Sequence, residues 1–331
     1  MNTILIIQTA SIGDVILATS LPEKLHQQYP NAQIDLMVKK GNESLFVGHP
    51  FLRNIIIRNK NKSKSESFIH LLQRVYAEKY DLIVNLQRFS FTALLTIFSG
   101  AKYTTGYAGN IFSLFYTKRY RHSIDPRKGI HEISRNQQLI SKFCGNEPAK
   151  MKLYPTQKNY SDVSALKTEQ YICIAPASLW KTKQLPAGQW AKLIIQIPTE
   201  YHIYLLGSAS DKALCEEIIS QSRNEGVMNL AGKLSLLDTA ALMEHSRMNY
   251  VNDSAPMHIA SAMNAPVAAV FCSTVPGFGF GPKSDNSMII ETKKSLTCRP
   301  CGLHGHDDCP KKHFDCAKSI TTEQLLMAIN S

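Results

Sequence analysis

Several short stretches carry side chains whose type and spacing could do chemistry. Ser11-Ile12-Gly13-Asp14 follows directly on the apolar run Ile4-Leu5-Ile6-Ile7, and its carboxylate could cap a helix or take a proton from a hydroxyl. Ser11 and Gly13 are small enough to let a ligand come close. Residues 175 to 183 leave the strand-like YICIA and offer the hydroxyl of Ser178 and the ammonium groups of Lys181 and Lys183 to a phosphate. Residues 207 to 211 leave HIYLL and place Asp211 at the head of the next helix, where it could accept hydrogen bonds from ribose hydroxyls. Asn252-Asp253-Ser254-Ala255-Pro256-Met257-His258 leaves NYV and opens a helix whose first N–H groups form an anion site. Capping alone would explain Asp or Ser at any one of these places. Three at successive strand ends of one half point to a bound ligand.

Near the C-terminus, Cys298, Cys301, Cys309 and Cys316 form C-x2-C-x7-C-x6-C, with His304, His306 and His313 interleaved. Four thiols so close together suit a closed structural zinc site in a reducing cytoplasm, with disulfides or free thiols as the alternatives. Cys144, Cys173, Cys215 and Cys272 are scattered through apolar or helical patterns, as small buried hydrophobes would be.

The elements that must hold these residues alternate. TILIIQ, AQIDLMV, NIIIR and DLIVNLQ read as strands, with helices near 14–29 and 66–79; the pattern restarts with YICIAPAS, HIYLLGS, VMNLAG, NYVNDS and APVAAVF, with helices near 187–196, 211–222 and 235–246. This predicts an α/β protein with parallel sheets. The division expected is residues 1–160 and 161–331, two Rossmann-like domains, with residues 155 to 168 as linker.

The patterns also exclude chemistry. Only Gly13 stands where G-x-G-x-x-G would follow the first strand, no P-loop motif occurs, and no Asp-x-Asp is present to hold a metal-bound nucleotide sugar. A diphosphate must then be held by backbone amides and basic side chains. Net charge is +11, and the excess lies in the first half: 22 Lys/Arg against 11 Asp/Glu in residues 1–163, 15 of each thereafter. Such a field concentrates an anionic partner. No helix-turn-helix, zinc-finger or RNP pattern accompanies it, which disfavours nucleic acid. Residues 58–64 and 111–121 are the candidate contacts with an anionic lipid surface, the second mixing aromatic and basic residues; a buried amphipathic helix is the competing expectation for it. The N-terminus lacks a basic leader, and no apolar run approaches the roughly 18 residues of a membrane span. Secretion and membrane insertion are therefore not expected.

Three motifs in order, Ser11-Ile12-Gly13-Asp14-Val15, Lys183-Gln184-Leu185-Pro186 and the run from Asn252 to Ala262 (NDSAPMHIASA), make the chain resemble the glycosyltransferase family 9 heptosyltransferases. The resemblance spans nearly the whole chain. It implies a GT-B fold of two domains with parallel sheets facing a central cleft, an acceptor held by the first domain, and ADP-heptose held by the second. The reaction implied is a metal-independent, inverting transfer to an anionic, lipid-linked inner-core lipopolysaccharide acceptor, at the cytoplasmic face of the inner membrane. Carried over by position, Asp14 matches the general base and Lys183 the lysine at the sugar-nucleotide phosphates. Ser178 matches a diphosphate-binding hydroxyl, with Lys181 close enough to share the role of Lys183. Asp253 matches an acid at the donor sugar; Ser254, Ala255 and His258 lie along the helix start that receives the diphosphate, and Asp211 stands near the ribose. Ala255 replaces a glycine common among relatives, and residues 272 to 282 keep the family's Pro/Gly character without its commonest wording. Those departures leave two alternatives open, a different nucleotide sugar or a non-catalytic protein that binds sugar nucleotide or anionic lipid.

Overall fold

The computed structural model describes residues 1–59, 64–167 and 169–329. The chain forms two units, Met1–Ile124 with Ile130–Tyr154, and Asp125–Gly129 with Pro155–Ser331.

Six parallel strands form the sheet of the first unit: β1 (Thr3–Ile7), β2 (Gln33–Lys39), β3 (Leu52–Arg58), β4 (Leu82–Asn85), β5 (Tyr103–Ala108) and β6 (Lys118–Arg121), in the spatial order β3-β2-β1-β4-β5-β6. The second unit repeats the plan with β7 (Tyr171–Ala175), β8 (His202–Leu205), β9 (Val227–Asn229), β10 (Met248–Asn252), β11 (Val267–Phe271) and β12 (Ser287–Glu291), ordered β12-β11-β10-β7-β8-β9. Numbered within each unit, both sheets run 3-2-1-4-5-6. Parallel sheets are covered by helices on both faces, which is why their central strands read as unbroken apolar runs. Ile4 through Ile7 and Ile172 through Ile174 are fully buried.

In a sheet of this order the connections reverse direction between the first and fourth strands, and the loops leaving the carboxyl ends there part to admit a ligand. In the first unit the reversal lies between β1 and β4, so the loop carrying Ser11 and Asp14 faces it. In the second it lies between β7 and β10, whose ends lead into residues 176–183 and 253–258. The topology thus brings the second and third motifs to one place.

The buried carboxylates of the first unit are paired. Asp35 of β2 is inaccessible, accepts from Arg53 Nε of β3 at 3.0 Å and from the Tyr80 hydroxyl at 2.5 Å. Glu132 accepts from Arg135 Nε at 2.6 Å and meets His122 Nε2 at 3.0 Å. Burial opposes its ionisation, but His122 and Arg135 outweigh it and hold the carboxyl below its ordinary value.

Two expectations change. The segment read as linker, 155 to 168, is, as far as residue 167, part of the second unit: helix Gln157–Asp162 packs there, where Asn159 Nδ2 donates to Asp238 Oδ1 at 2.7 Å and the Tyr160 hydroxyl to Glu244 at 2.7 Å. Nor do residues 111–121 form a buried helix. Ile111–Phe115 is one 3-10 turn, followed by the edge strand β6, and most of the segment is exposed. Of the basic run 58–64, Lys60 to Ser63 lie outside the described residues. No helix among the described residues is long and apolar enough to cross a membrane.

Candidate functional site

The site of the second unit is built by buried polar groups at strand ends. Asn252 closes β10 with no exposed surface. Its Nδ2 donates to Pro176 O at 2.7 Å, and its Oδ1 accepts from Leu185 N at 3.0 Å. One amide therefore fixes both ends of the 176–185 loop. Within that loop Gln184 Nε2 donates to Ser178 O at 2.6 Å, and the turn Lys181–Lys183 points its first lysine to solvent. The second lysine turns inward: Lys183 Nζ lies 2.7 Å from Asp253 Oδ2. Asp253 is only 8% exposed, and the Thr274 hydroxyl donates to the same oxygen at 2.6 Å. An ammonium group held this way is desolvated and aimed, which is what phosphate recognition by a single positive charge requires.

Helix Ala255–Ala262 starts beside this pair. Ser254 occupies its N-cap without a side-chain capping bond, Pro256 follows in the first turn, and His258 is buried. Ser254 and Ala255 are half-buried. The first amides of the helix thus carry no side-chain cap, leaving its positive dipole end for an anion.

Asp211 is not brought to this pair. Its Oδ2 accepts from Ser208 N at 2.8 Å and from Ser208 Oγ at 2.7 Å, a local cap after β8.

The cysteine segment supplies contacts that the motifs did not reveal. Thr182 N and Oγ1 both donate to His306 O, at 3.0 and 2.9 Å, while His306 N returns a bond to Thr182 Oγ1 at 2.7 Å. Ser273 Oγ joins Thr182 Oγ1 at 3.2 Å. Gly305 has a φ of +81°, and a β-carbon there would stand 2.9 Å from Thr182 Oγ1 and 3.1 Å from Lys183 Cγ. Arg299 donates from Nε to Cys272 O at 2.7 Å, and from Nη2 to Thr274 O at 2.8 Å and Glu291 at 2.7 Å. The segment therefore braces both the turn carrying Lys183 and the loop carrying Thr274. Nothing in the sequence marked Thr182, Thr274 or Arg299; the glycine before His306 was the one available sign of a close approach.

Cys298, Cys301, Cys309 and Cys316 line one small pocket together with His313, Thr182 and Arg299. All four are free thiols, and Cys298 Sγ lies 3.7 Å from His313 Nε2. Burial, with Cys309 adding to it, pushes the Cys316 thiol up to about 11. The donor set suits zinc. Among the described residues, however, no group of three or more His, Cys, Asp or Glu side chains is arranged to hold a metal ion.

In the first unit the sequence places its acid on the loop after β1. Ser11 caps helix Ile12–Ala18 through a capping box: Ser11 Oγ donates to Asp14 Oδ2 at 2.6 Å, Ser11 N reaches the same oxygen at 3.2 Å, and Asp14 N reaches Ser11 Oγ at 3.4 Å. Asp14 Oδ1 accepts no hydrogen bond among the described residues. Gly13 is half-buried in the first turn. The loop is tied at its base by Gln87 Nε2, which donates to Gln8 Oε1, and by Asn42 Nδ2 to Ala10 O at 3.1 Å. Arg58 Nη1 donates to Thr9 at 3.3 Å, and its guanidinium lies 3.8 Å over the Phe91 ring. Burial lowers the pKa of Arg58, and its planar fork beside Asp14's loop is a ready anion contact.

Residues 68–305 match the sequence profile of glycosyltransferase family 9 (heptosyltransferase). Lipopolysaccharide heptosyltransferase 3 of Escherichia coli is 27% identical over 281 residues, 79% of this chain and 81% of that protein. Lipooligosaccharide heptosyltransferase 2 of Haemophilus influenzae is 28% identical over 306 residues, 87% of this chain and 88% of its own. The solved ADP-heptose lipopolysaccharide heptosyltransferase II of E. coli superposes with a TM-score of 0.78 at 23% identity, over 100% of this chain and 98% of that one, and shares its GT-B fold of two parallel α/β sheets. The chain belongs to glycosyltransferase family 9 and is a glycosyltransferase.

Proposed function

We propose that this enzyme transfers heptose from ADP-heptose to a lipopolysaccharide inner-core acceptor with inversion, at the cytoplasmic face of the inner membrane. The observation that carries the reading is the Lys183–Asp253 pair, 2.7 Å apart and buried, beside the start of helix Ala255–Ala262. The relatives' named substrates agree with it.

In this reading the diphosphate of the donor lies on the helix start at Ser254 and Ala255, with the Ser178 hydroxyl and Lys183 against it and His258 behind. Lys183 shifts from Asp253 toward phosphate, and Asp253 Oδ1 accepts from a hydroxyl of the donor sugar. An acceptor hydroxyl oxygen attacks the anomeric carbon, the bond from that carbon to the diphosphate oxygen breaks, and ADP leaves with the electron pair. The hydroxyl proton passes to Asp14, whose Oδ1 is uncommitted in the described structure. Charge accumulating on ADP is offset by Lys183 and the helix dipole, so no catalytic metal is invoked. Asp211 Oδ2 is held by Ser208 in the turn after β8, and Oδ1 is the oxygen that meets the ribose. As a separate structural proposal, the four clustered thiols bind zinc; metal analysis of protein purified under reducing conditions decides it, and no stoichiometric zinc removes it.

The test is transfer from ADP-heptose to a lipid A core acceptor, alongside a panel of other nucleotide sugars in a thermal-shift assay. Heptosyl transfer with donor-specific stabilisation supports the reading. Stabilisation and turnover with another nucleotide sugar would move the enzyme to a different donor, a change for which Ala255 is the motive. Tight binding without turnover for any donor would make it a binding protein.

A further inference from the structure

Between Asp81 and Asp125 the chain has no acidic residue, while Arg88, Lys118, Arg119 and Arg121 fall within that span; Lys102, also there, is paired with Asp81 at 2.7 Å. The same stretch carries several exposed large apolar side chains. Phe115 is 71% exposed, Ile111 70%, Phe89 64% and Leu114 54%. These residues come together. The 3-10 turn Ile111–Phe115 packs against helix Ser90–Ile97, Asn110 Nδ2 donates to Arg88 O at 2.9 Å, and Gly109 lies so close to Arg88 that a β-carbon would stand 2.7 Å from its Cβ. Phe89 and Ile111 each follow that contact by one residue. The turn leads into β6, whose Lys118, Arg119 and Arg121 are exposed on an edge that no further strand covers among the described residues.

Single exposed apolar side chains are ordinary, but several clustered in one turn and the helix start packed on it, followed by a basic edge strand, match the two parts of an anionic bilayer surface. The rings and aliphatic chains suit the acyl boundary, and the arginines and lysines suit lipid phosphates. Position agrees as well. Arg88 and Phe89 leave the carboxyl end of β4, where Gln87 bonds Gln8 of the loop that holds Asp14. Phe89 and Ile111, which leave the carboxyl ends of β4 and β5, thus share one end of the sheet with the candidate acceptor base, and the turn runs back from there toward Thr117, which bonds Thr104 at the start of β5.

We propose that Phe89, Ile111, Leu114 and Phe115, with the basic edge strand β6, seat the first unit on an anionic phospholipid surface. For its purpose, delivery of Asp14 to a lipid-linked acceptor, the inference rests on the reading under Proposed function.

The experiment is flotation of the full chain with vesicles of phosphatidylethanolamine and phosphatidylglycerol, with phosphatidylcholine vesicles as the uncharged control. The expected result is partition onto the anionic vesicles, lowered about tenfold in the Ile111→Ser/Phe115→Ser variant. Arg119→Gln/Arg121→Gln should weaken it too, and should flatten its dependence on salt. All four side chains are exposed, so unchanged melting temperatures are expected. Equal partition of wild type and both variants, or no binding to anionic vesicles, overturns the proposal. So does a dimer in sedimentation that dissociates in Ile111→Ser/Phe115→Ser while vesicle binding persists, because the face would then belong to a second copy. Transfer to a deacylated, water-soluble core saccharide is measured in parallel and should keep its wild-type rate in both variants. If the wild type fails there yet floats with anionic vesicles, the functional reading falls and the membrane face stands.

Discussion

Two acids stand where the connections of their sheets reverse, Asp14 after the first strand of its unit and Asp253 after the fourth strand of the other, and they are held in different ways. Asp253 is buried, and its contacts come from Lys183 and Thr274, 70 and 21 residues away in sequence. Asp14 is half-exposed and bonds only Ser11, three residues away. The first arrangement is assembled by the tertiary fold and holds a lysine oriented and largely out of water. The second is assembled by one helix turn and leaves an oxygen without a partner. Long-range preorganisation suits holding a charged leaving group; a locally fixed carboxylate suits taking one proton.

The comparison can be broken or sharpened by substitution. The largest effect is expected for Asp14→Asn: turnover falls by about 10² to 10⁴, while stability changes by less than about 0.5 kcal/mol because an asparagine amide oxygen at this third helix position can still accept from Ser11 N. A melting temperature that drops as far as the rate would make Asp14 a structural acid. Next, Lys183→Met leaves Asp253 buried without its counter-ion and should cost about 3 kcal/mol in urea unfolding. Adding Asp253→Asn should return part of that loss, and strictly additive costs would show that the two side chains do not act as a pair. Smaller again is Gly305→Ala, where a left-handed backbone and a β-carbon 2.9 Å from Thr182 Oγ1 push on the lysine turn. About 1 to 2 kcal/mol of strain is expected, with the donor KM rising more than kcat falls; an unchanged KM would detach the cysteine segment from the donor site.

The smallest effect concerns pH and the first unit alone. Burial, with His26 adding to it, lowers the pKa of His49 to about 4 from an ordinary 6.5. The folded state holds this ring neutral, so the stability it gives is complete above the ordinary value and is lost as pH falls from about 6.5 toward 4. Melting temperature should therefore decline over that window, and His49→Asn should flatten the decline. An identical profile in the variant would place the acid sensitivity elsewhere, with Glu132 the next candidate below its ordinary range.

What could be read from the sequence follows from how local each signal is. Helix Ala187–Gln196 falls where the pattern places it, and β1, β7 and β11 are legible because both their faces are buried. Strand β5 escaped because Tyr-Thr-Thr-Gly carries little apolar pattern, and β6 because Lys-Arg-Tyr-Arg is a charged edge. The polar run that reads as linker carries structure the pattern does not show: Thr156 caps a helix whose Asn159 and Tyr160 bond the second unit's own acids. At the site, Lys183, Asp253 and the helix start were named from their spacing. The Asn252 staple and the His306 brace on Thr182 were not, since hydrogen bonds spanning 67 to 124 residues leave no periodic trace.

The division of labour between the two acids is tested most directly by titrating ADP-heptose into wild type, Asp14→Asn and Lys183→Met by calorimetry, with turnover measured on the same samples. The expected result is donor affinity retained in Asp14→Asn and reduced at least about tenfold in Lys183→Met, with turnover lost in both. Donor binding that fails in Asp14→Asn, or survives unchanged in Lys183→Met, would contradict it.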